Sequence, residues 1–243
     1  MDGIRLNALV IGARAAGEAD KILTLFSVSG KLSAKIRGVR KAAAKLKFAA
    51  QPFCFGEFML SRRGSSHVVT GCTPIELFSG LLTDPDRYYA GSAVIELLGA
   101  AEGGGENAPV LLVAALRALE SLSMTDAQPQ TVLCAFLLRA LSALGYGISI
   151  EPCARCGGML PAKVYFSPEE GGFCCGLCPG GSEVPRAVYD ALRLAGAAPH
   201  DRLDRLKLST AGLSGALKLV CGRAAQLLGT PLKSAEQLLK ELP

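Results

Sequence analysis

Five of the nine cysteines fall between residues 153 and 178. They include two C-x2-C pairs, Cys153-Ala154-Arg155-Cys156 and Cys175-Gly176-Leu177-Cys178, separated by 18 residues. Each close pair turns two thiols to one side of a tight knuckle, and the intervening loop lets the second knuckle meet the first. That spacing is the pattern of a tetrahedral four-thiolate zinc site. Gly157, Gly158 and Gly176 supply the permissive backbone that such knuckles need. Four thiolates leave no position for water, so the expectation is one structural Zn2+ per chain and no catalytic metal. The competing readings are a disulfide pair or small buried apolar cysteines, and Cys174 is an alternative to Cys175 as a ligand. Nine cysteines without a secretory leader argue for reduced thiols.

A second concentration is one of charge. Residues 1–63 hold 12 Lys+Arg against 4 Asp+Glu, whereas the remaining 180 hold 14 against 17. Between residues 31 and 47 stand Lys31, Lys35, Arg37, Arg40, Lys41, Lys45 and Lys47, with no acid among them. A cationic end on a near-neutral body points to a polyanionic partner, nucleic acid above all. The plainer reading is a solvated basic face. Phe48 lies among the lysines and is the candidate for stacking on a base, whereas Phe53 and Phe55 share a strand face that favours the core.

These groups need elements to hold them. Leu6 to Ile11, Ile22 to Phe26, Lys31 to Arg37, Phe53 to Leu60 and Val68 to Cys72 read as five short strands. In the third, strict alternation turns Leu32, Ala34 and Ile36 inward and Lys31, Ser33, Lys35 and Arg37 outward. Five such strands suit a small closed barrel of the oligonucleotide-binding (OB) type, which leaves no bare sheet edge. From Asp84-Pro85 the pattern becomes helical, to about Leu98, with a loop at Gly103-Gly104-Gly105. Further helices start at Pro109, Pro129, Pro185 and Leu213, the third stopped by Gly145 and the last by Gly229. The fold class is therefore α+β and multidomain. A five-stranded OB-type barrel domain spans 1–80 and a helical domain spans 81–243, with the four-cysteine zinc module inserted at 151–181.

No catalytic set emerges. His67 and His200 have no paired ligand and read as ordinary surface or loop residues. Gly30-Lys31-Leu32 lacks the glycine-rich lead and the Ser/Thr of a phosphate loop. The longest run free of Asp, Glu, Lys and Arg is 12 residues, too short for a membrane span.

Several fragments together resemble the bacterial RecO DNA-repair family over nearly the whole chain. They are Gly17-Glu18-Ala19-Asp20, Ile22-Leu23-Thr24-Leu25-Phe26, Gly30-Lys31-Leu32, Gly38-Val39-Arg40-Lys41 and Gln51-Pro52-Phe53. In the same order follow Leu144-Gly145-Tyr146, the first cysteine knuckle, Phe166-Ser167-Pro168, Gly171-Gly172, the second knuckle and Pro231-Leu232-Lys233-Ser234. Ala42-Ala43-Ala44 and Ile148 depart from the family pattern. The resemblance implies an OB barrel, a helical domain and a zinc module. It also implies a non-catalytic mediator of recombination in the cytoplasm, associated with the nucleoid. Such a mediator binds single- and double-stranded DNA, anneals complementary strands and assists RecA loading. RecR is the implied partner, with the tail of single-strand binding protein and RecF as further ones. If that tail is acidic, Arg186, Arg193, Arg202, Arg205 and Lys207 are candidate receivers on charge alone. The alternatives are an interaction adaptor whose basic face is incidental and an enzyme with a zinc-stapled substrate domain.

Overall fold

A computed structural model describes residues 3–101, 105–178 and 180–240. Gly103 and Gly104 of the expected glycine loop lie outside the described residues. The chain forms two compact units, Met1–Ser79 with Ile95–Val113, and Gly80–Val94 with Ala114–Pro243. The division falls within two helices, α1 (Pro85–Ala100) and α2 (Ala108–Met124).

In the first unit, β1 (Gly3–Ala16), β2 (Asp20–Ser27), β3 (Gly30–Ile36), β4 (Phe55–Arg63) and β5 (Ser66–Glu76) close into a barrel. The order around it is β1-β2-β3-β5-β4, with β3 and β5 parallel and the other pairs antiparallel. Alternating side chains fill the interior: Ala8 and Val10, Leu23 and Leu25, Ala34 and Ile36, Phe58 and Leu60. On β3 the alternation is as expected, with Lys31 and Ser33 exposed and Ala34 and Ile36 buried. Closure gives every strand a partner on both sides, the parallel β3–β5 pair joining over Ala34–Ile36, and so removes the open sheet edge.

Phe53 is buried in the core as expected, although not on a strand, while Phe48 departs from its expected role. Phe53 precedes β4, and it occupies the left-handed region at φ 69° while wholly buried. Val10 holds it there from both sides, donating to the Cys54 carbonyl at 2.9 Å and accepting from the Phe53 N–H at 3.1 Å. Phe48 opens a 3-10 turn, Phe48–Ala50, and packs against the barrel core with the buried Ala49 and Ala50. It is therefore part of a plug on the barrel, with its ring partly buried.

The helical unit is centred on α3 (Pro129–Ala143), buried on nearly every side from Gln130 to Leu141. Its neighbours are α4 (Arg186–Ala197) and α5 (Thr210–Leu228), followed by α6 (Lys233–Lys240). Gly215 lets α4 and α5 approach closely, since a Cβ there would come within 2.3 Å of Val188 Cγ2. The proline and glycine punctuation acts as read. Asp84 Oδ1 accepts from Arg87 N–H at 2.9 Å ahead of Pro85, and Gly229 ends α5 at φ 66°. Three strands absent from the sequence expectation, β6 (Val164–Ser167), β7 (Gly172–Cys175) and β8 (Ser182–Val184), form a small sheet in the order β7-β6-β8.

Candidate metal centre and nucleic-acid interface

The small sheet and two loops bring the knuckle cysteines together. Cys175 ends β7, and Cys178 follows in a turn closed by its N–H to the Cys175 carbonyl at 3.2 Å. The first knuckle is closed by Gly157 N–H to the Cys153 carbonyl at 2.9 Å, and Ala154 N–H to the Phe173 carbonyl at 2.8 Å ties it to β7. Phe173, fully buried, meets Phe166 and Tyr189 edge to face at 5.5 and 5.0 Å, which anchors β7 on the first turn of α4.

The sulfurs of Cys153, Cys156, Cys175 and Cys178 all lie within 4.8 Å of one another, close enough to hold a metal ion. Three of the separations are 3.6 Å for Cys175–Cys178, 3.8 Å for Cys156–Cys175 and 4.0 Å for Cys153–Cys178. A tetrahedron of thiolates about 2.3 Å from a central ion has edges of about 3.8 Å, so the donor set fits zinc in number, kind and spacing. The same distances are far beyond a disulfide bond of about 2.05 Å. Backbone N–H groups of Cys156 and Cys175 directed at the Cys153 sulfur bring its thiol down to about 6. Cys178, hydrogen-bonded to the Cys175 and Cys156 sulfurs, is pushed up to about 12. Four sulfurs this close ionise together only around a cation. Cys174 is not one of the four mutually close sulfurs; burial, and then the neighbouring Cys153 sulfur, raise its thiol.

The seven cations of residues 31–47 divide into two groups. Lys31 Nζ donates to the carbonyls of Gly99 and Ala101, at 2.8 and 2.7 Å, at the carboxyl end of α1. Lys35 forms an ion pair with Asp20 at 2.9 Å, and Arg40 donates to the Gly17 carbonyl at 3.0 Å. Arg37, Lys41, Lys45 and Lys47 are exposed, and their side chains make no hydrogen bond or ion pair among the described residues. All four lie on the segment joining β3 to β4, whose ends are fixed by the barrel and whose middle is pinned by Val39 and the Phe48 plug.

Of the arginines expected on charge alone to receive an acidic tail, Arg186 pairs with Asp190 at 3.1 Å and stacks over Tyr189 at 5.0 Å. Arg193 reaches the same Asp190 at 3.9 Å. His67 sits on β5 as an ordinary half-buried residue. His200 does not fit that description: it opens a 3-10 turn, and its Nδ1 is shut off from solvent without a partner. No sequence signal marks it, because the groups around it come from helices far away along the chain.

Among the described residues no helix is long and apolar enough to cross a membrane. Residues 1–78 match the family described as recombination protein O N terminal, and residues 82–236 match recombination protein O C terminal. A "DNA repair protein RecO" of Desulfitobacterium hafniense is 36% identical over 174 residues, covering 71% of this chain and 63% of that protein. The protein of the same name from Pelotomaculum thermopropionicum is 36% identical over 175 residues, 72% of this chain and 68% of its own. That of a Roseiflexus species is 32% identical over 216 residues, 85% and 75%. Thus the chain spans less than two thirds of the Desulfitobacterium relative, although the two family matches cover both the barrel and the helical body. With a closed five-stranded barrel, a helical body and a four-cysteine cluster, the chain belongs to the recombination protein O family.

Proposed function

We propose that this protein is a non-catalytic mediator of DNA repair by homologous recombination. It binds single- and double-stranded DNA through its barrel domain, residues 1–80, and anneals complementary strands. With RecR, and with RecF and the tail of single-strand binding protein as further partners, it assists RecA loading. It works in the cytoplasm on nucleoid DNA. The observation that carries this reading is the unpartnered set Arg37, Lys41, Lys45 and Lys47 on one barrel segment of a chain in this family.

Annealing involves no bond chemistry. Two polyanions must approach, and their phosphate repulsion must be offset without clamping the bases. Flexible lysines and an arginine on an exposed segment do this by displacing condensed counterions, a term independent of sequence. Lys31, Lys35 and Arg40 hold the segment's framework and leave the other four to meet phosphate. The module's Cys153, Cys156, Cys175 and Cys178 would hold one Zn2+, which supplies cross-linking and no reactive position.

The test is affinity for single-stranded DNA against salt. Each neutralised phosphate contributes about 0.7 to the log–log slope, so four contacts give about −2.8. Replacing Arg37, Lys41, Lys45 and Lys47 together by Glu is expected to flatten the slope and abolish annealing, with the circular dichroism of the fold unchanged. An unchanged slope in that variant overturns the assignment and leaves the adaptor reading.

A further inference from the structure

The helical unit contains a cavity of about 720 Å³ that neither the cysteine cluster nor the basic segment touches. Its walls are the Arg117–Thr125 side of α2, Arg139 of α3 and the stretch from Ala197 to Asp201 that follows α4. On α2, Arg117, Ser121 and Met124 are spaced so that they share one helical face.

Arg139 is fixed in place. Its guanidinium donates to the Ala135 carbonyl at 3.0 Å and to the Ala198 carbonyl, and neither partner is an acid. Arg117 is exposed, and its side chain makes no hydrogen bond or ion pair among the described residues. The two acids at the rim, Glu120 and Asp201, are exposed and pair with neither arginine. His200 lines the same cavity, and its Nδ1 is closed off from solvent without a hydrogen-bond partner. Burial, then the charges of Arg139 and Arg117, hold its imidazole at about 4, so it is neutral at pH 7. A neutral imidazole keeps one donor and one acceptor, so it can donate a hydrogen bond to an anion without carrying charge itself.

Two guanidinium groups that pair with no carboxylate, lining one cavity with a neutral imidazole, make a site for an oxyanion. One carboxylate fills one guanidinium fork. A tetrahedral dianion has oxygens enough for two forks and the imidazole. The remaining wall is apolar, with Met124, Ala197 and Pro199 offering contact to the body of an organic molecule. The volume is within the usual range for small-ligand sites. We infer that this cleft is a binding site for a phosphomonoester, its phosphate held by Arg117 and Arg139 against His200.

The chain has only two histidines, His67 and His200, so the imidazole signals of the full-length protein give a direct readout by NMR. Inorganic phosphate is titrated at constant ionic strength, with acetate as the carboxylate arm. The His200 signals are expected to shift saturably with phosphate while those of His67 on the barrel stay still. Arg117→Gln is expected to weaken the response at least tenfold, whereas Arg186→Gln, whose guanidinium already has Asp190, leaves it unchanged. A His200 response to acetate equal to that to phosphate overturns the phosphomonoester. No saturable shift, equal shifts of both histidines, or full binding by the Arg117 variant overturns the site. DNA is absent throughout, so the outcome is separable from that of the salt-slope experiment.

Discussion

The barrel and the cysteine module both hold a small sheet in place, by opposite means. The barrel closes five strands on themselves and fills the interior with Leu23, Leu25, Ile36, Phe58 and Leu60. Its stability is spread over many contacts and a ring of backbone hydrogen bonds, so the cations on its β3–β4 segment are free of structural duty except where they are pinned. The module has strands of four, four and three residues, and its small buried cluster of Cys153, Cys174 and Cys175 is joined in the sheet by the buried Val164 and Phe173. A sheet that short cannot bury enough apolar surface to order itself. Its side chains are therefore structural where the barrel's exposed ones are available for binding.

The strongest way to break that contrast is to remove the metal we assign to the module. Structural zinc contributes an apparent ~10–16 kcal/mol in isolated finger peptides, far more than a three-stranded sheet supplies by itself. Cys153→Ser, or a chelator on the wild type, is expected to abolish amide-exchange protection at Val164–Ser167 and Gly172–Cys175. Protection at Leu23 and Leu25 in the barrel is expected to persist. Retained protection of β6 and β7 in metal-free protein would show that Phe173 and Tyr189 hold the sheet without sulfur coordination.

The converse experiment attacks the barrel's distributed core. Phe58 on β4 is wholly buried among residues of all its neighbouring strands. Phe58→Ala is expected to cost about 3–5 kcal/mol, read from the shift of the denaturant midpoint of the barrel amides. Bound zinc per chain is expected to stay the same. A loss of zinc together with barrel stability would mean that the two regions do not hold themselves independently.

The contrast also explains what can be read from sequence. The β3 alternation is plain because one face of that strand is core and the other carries charge. The C-x2-C pairs are plain because coordination fixes both residue type and spacing. That Cys175 and not Cys174 joins the four-sulfur set is set by how β7 meets the first knuckle, which residue spacing does not tell. β6, β7 and β8 escape a sequence reading because three or four residues carry no period, and their order comes from the cysteines and Phe173 more than from their own pattern. β1 runs from Gly3 to Ala16, well beyond the apolar run Leu6 to Ile11, because pairing with β4 at one end and β2 at the other extends it past its hydrophobic centre. Phe48 and Phe53 defeat the strand pattern for one reason: the plug between β3 and β4 is irregular backbone, and only tertiary contact tells a buried ring there from an exposed one. The cavity of Arg117, Arg139 and His200 leaves no trace at all, since it exists only where three separate elements meet.

The smallest expected effect lies where the two duties of a barrel cation meet, at Asp20 and Lys35. Asp20 Oδ1 accepts the Gly38 N–H at 2.8 Å while Oδ2 pairs with Lys35. Those two contacts, the backbone one first, hold its carboxyl below the usual value. A depressed carboxylate adds stability that is fully present above its unfolded pKa of about 3.9 and is lost as pH falls through the lower folded value. Asp20→Asn is therefore expected to lower the barrel's melting temperature slightly at pH 7, with the difference from wild type closing below about pH 4. The pair is half-exposed, so the shift is small. The same change releases Lys35 to solvent beside Arg37. If cations on this face meet phosphate whenever the fold does not hold them, the salt slope on single-stranded DNA steepens by about 0.7, one further contact. A slope unchanged by Asp20→Asn, with the melting shift present, would instead confine DNA contact to the β3–β4 segment and make Lys35 a residue of the fold alone.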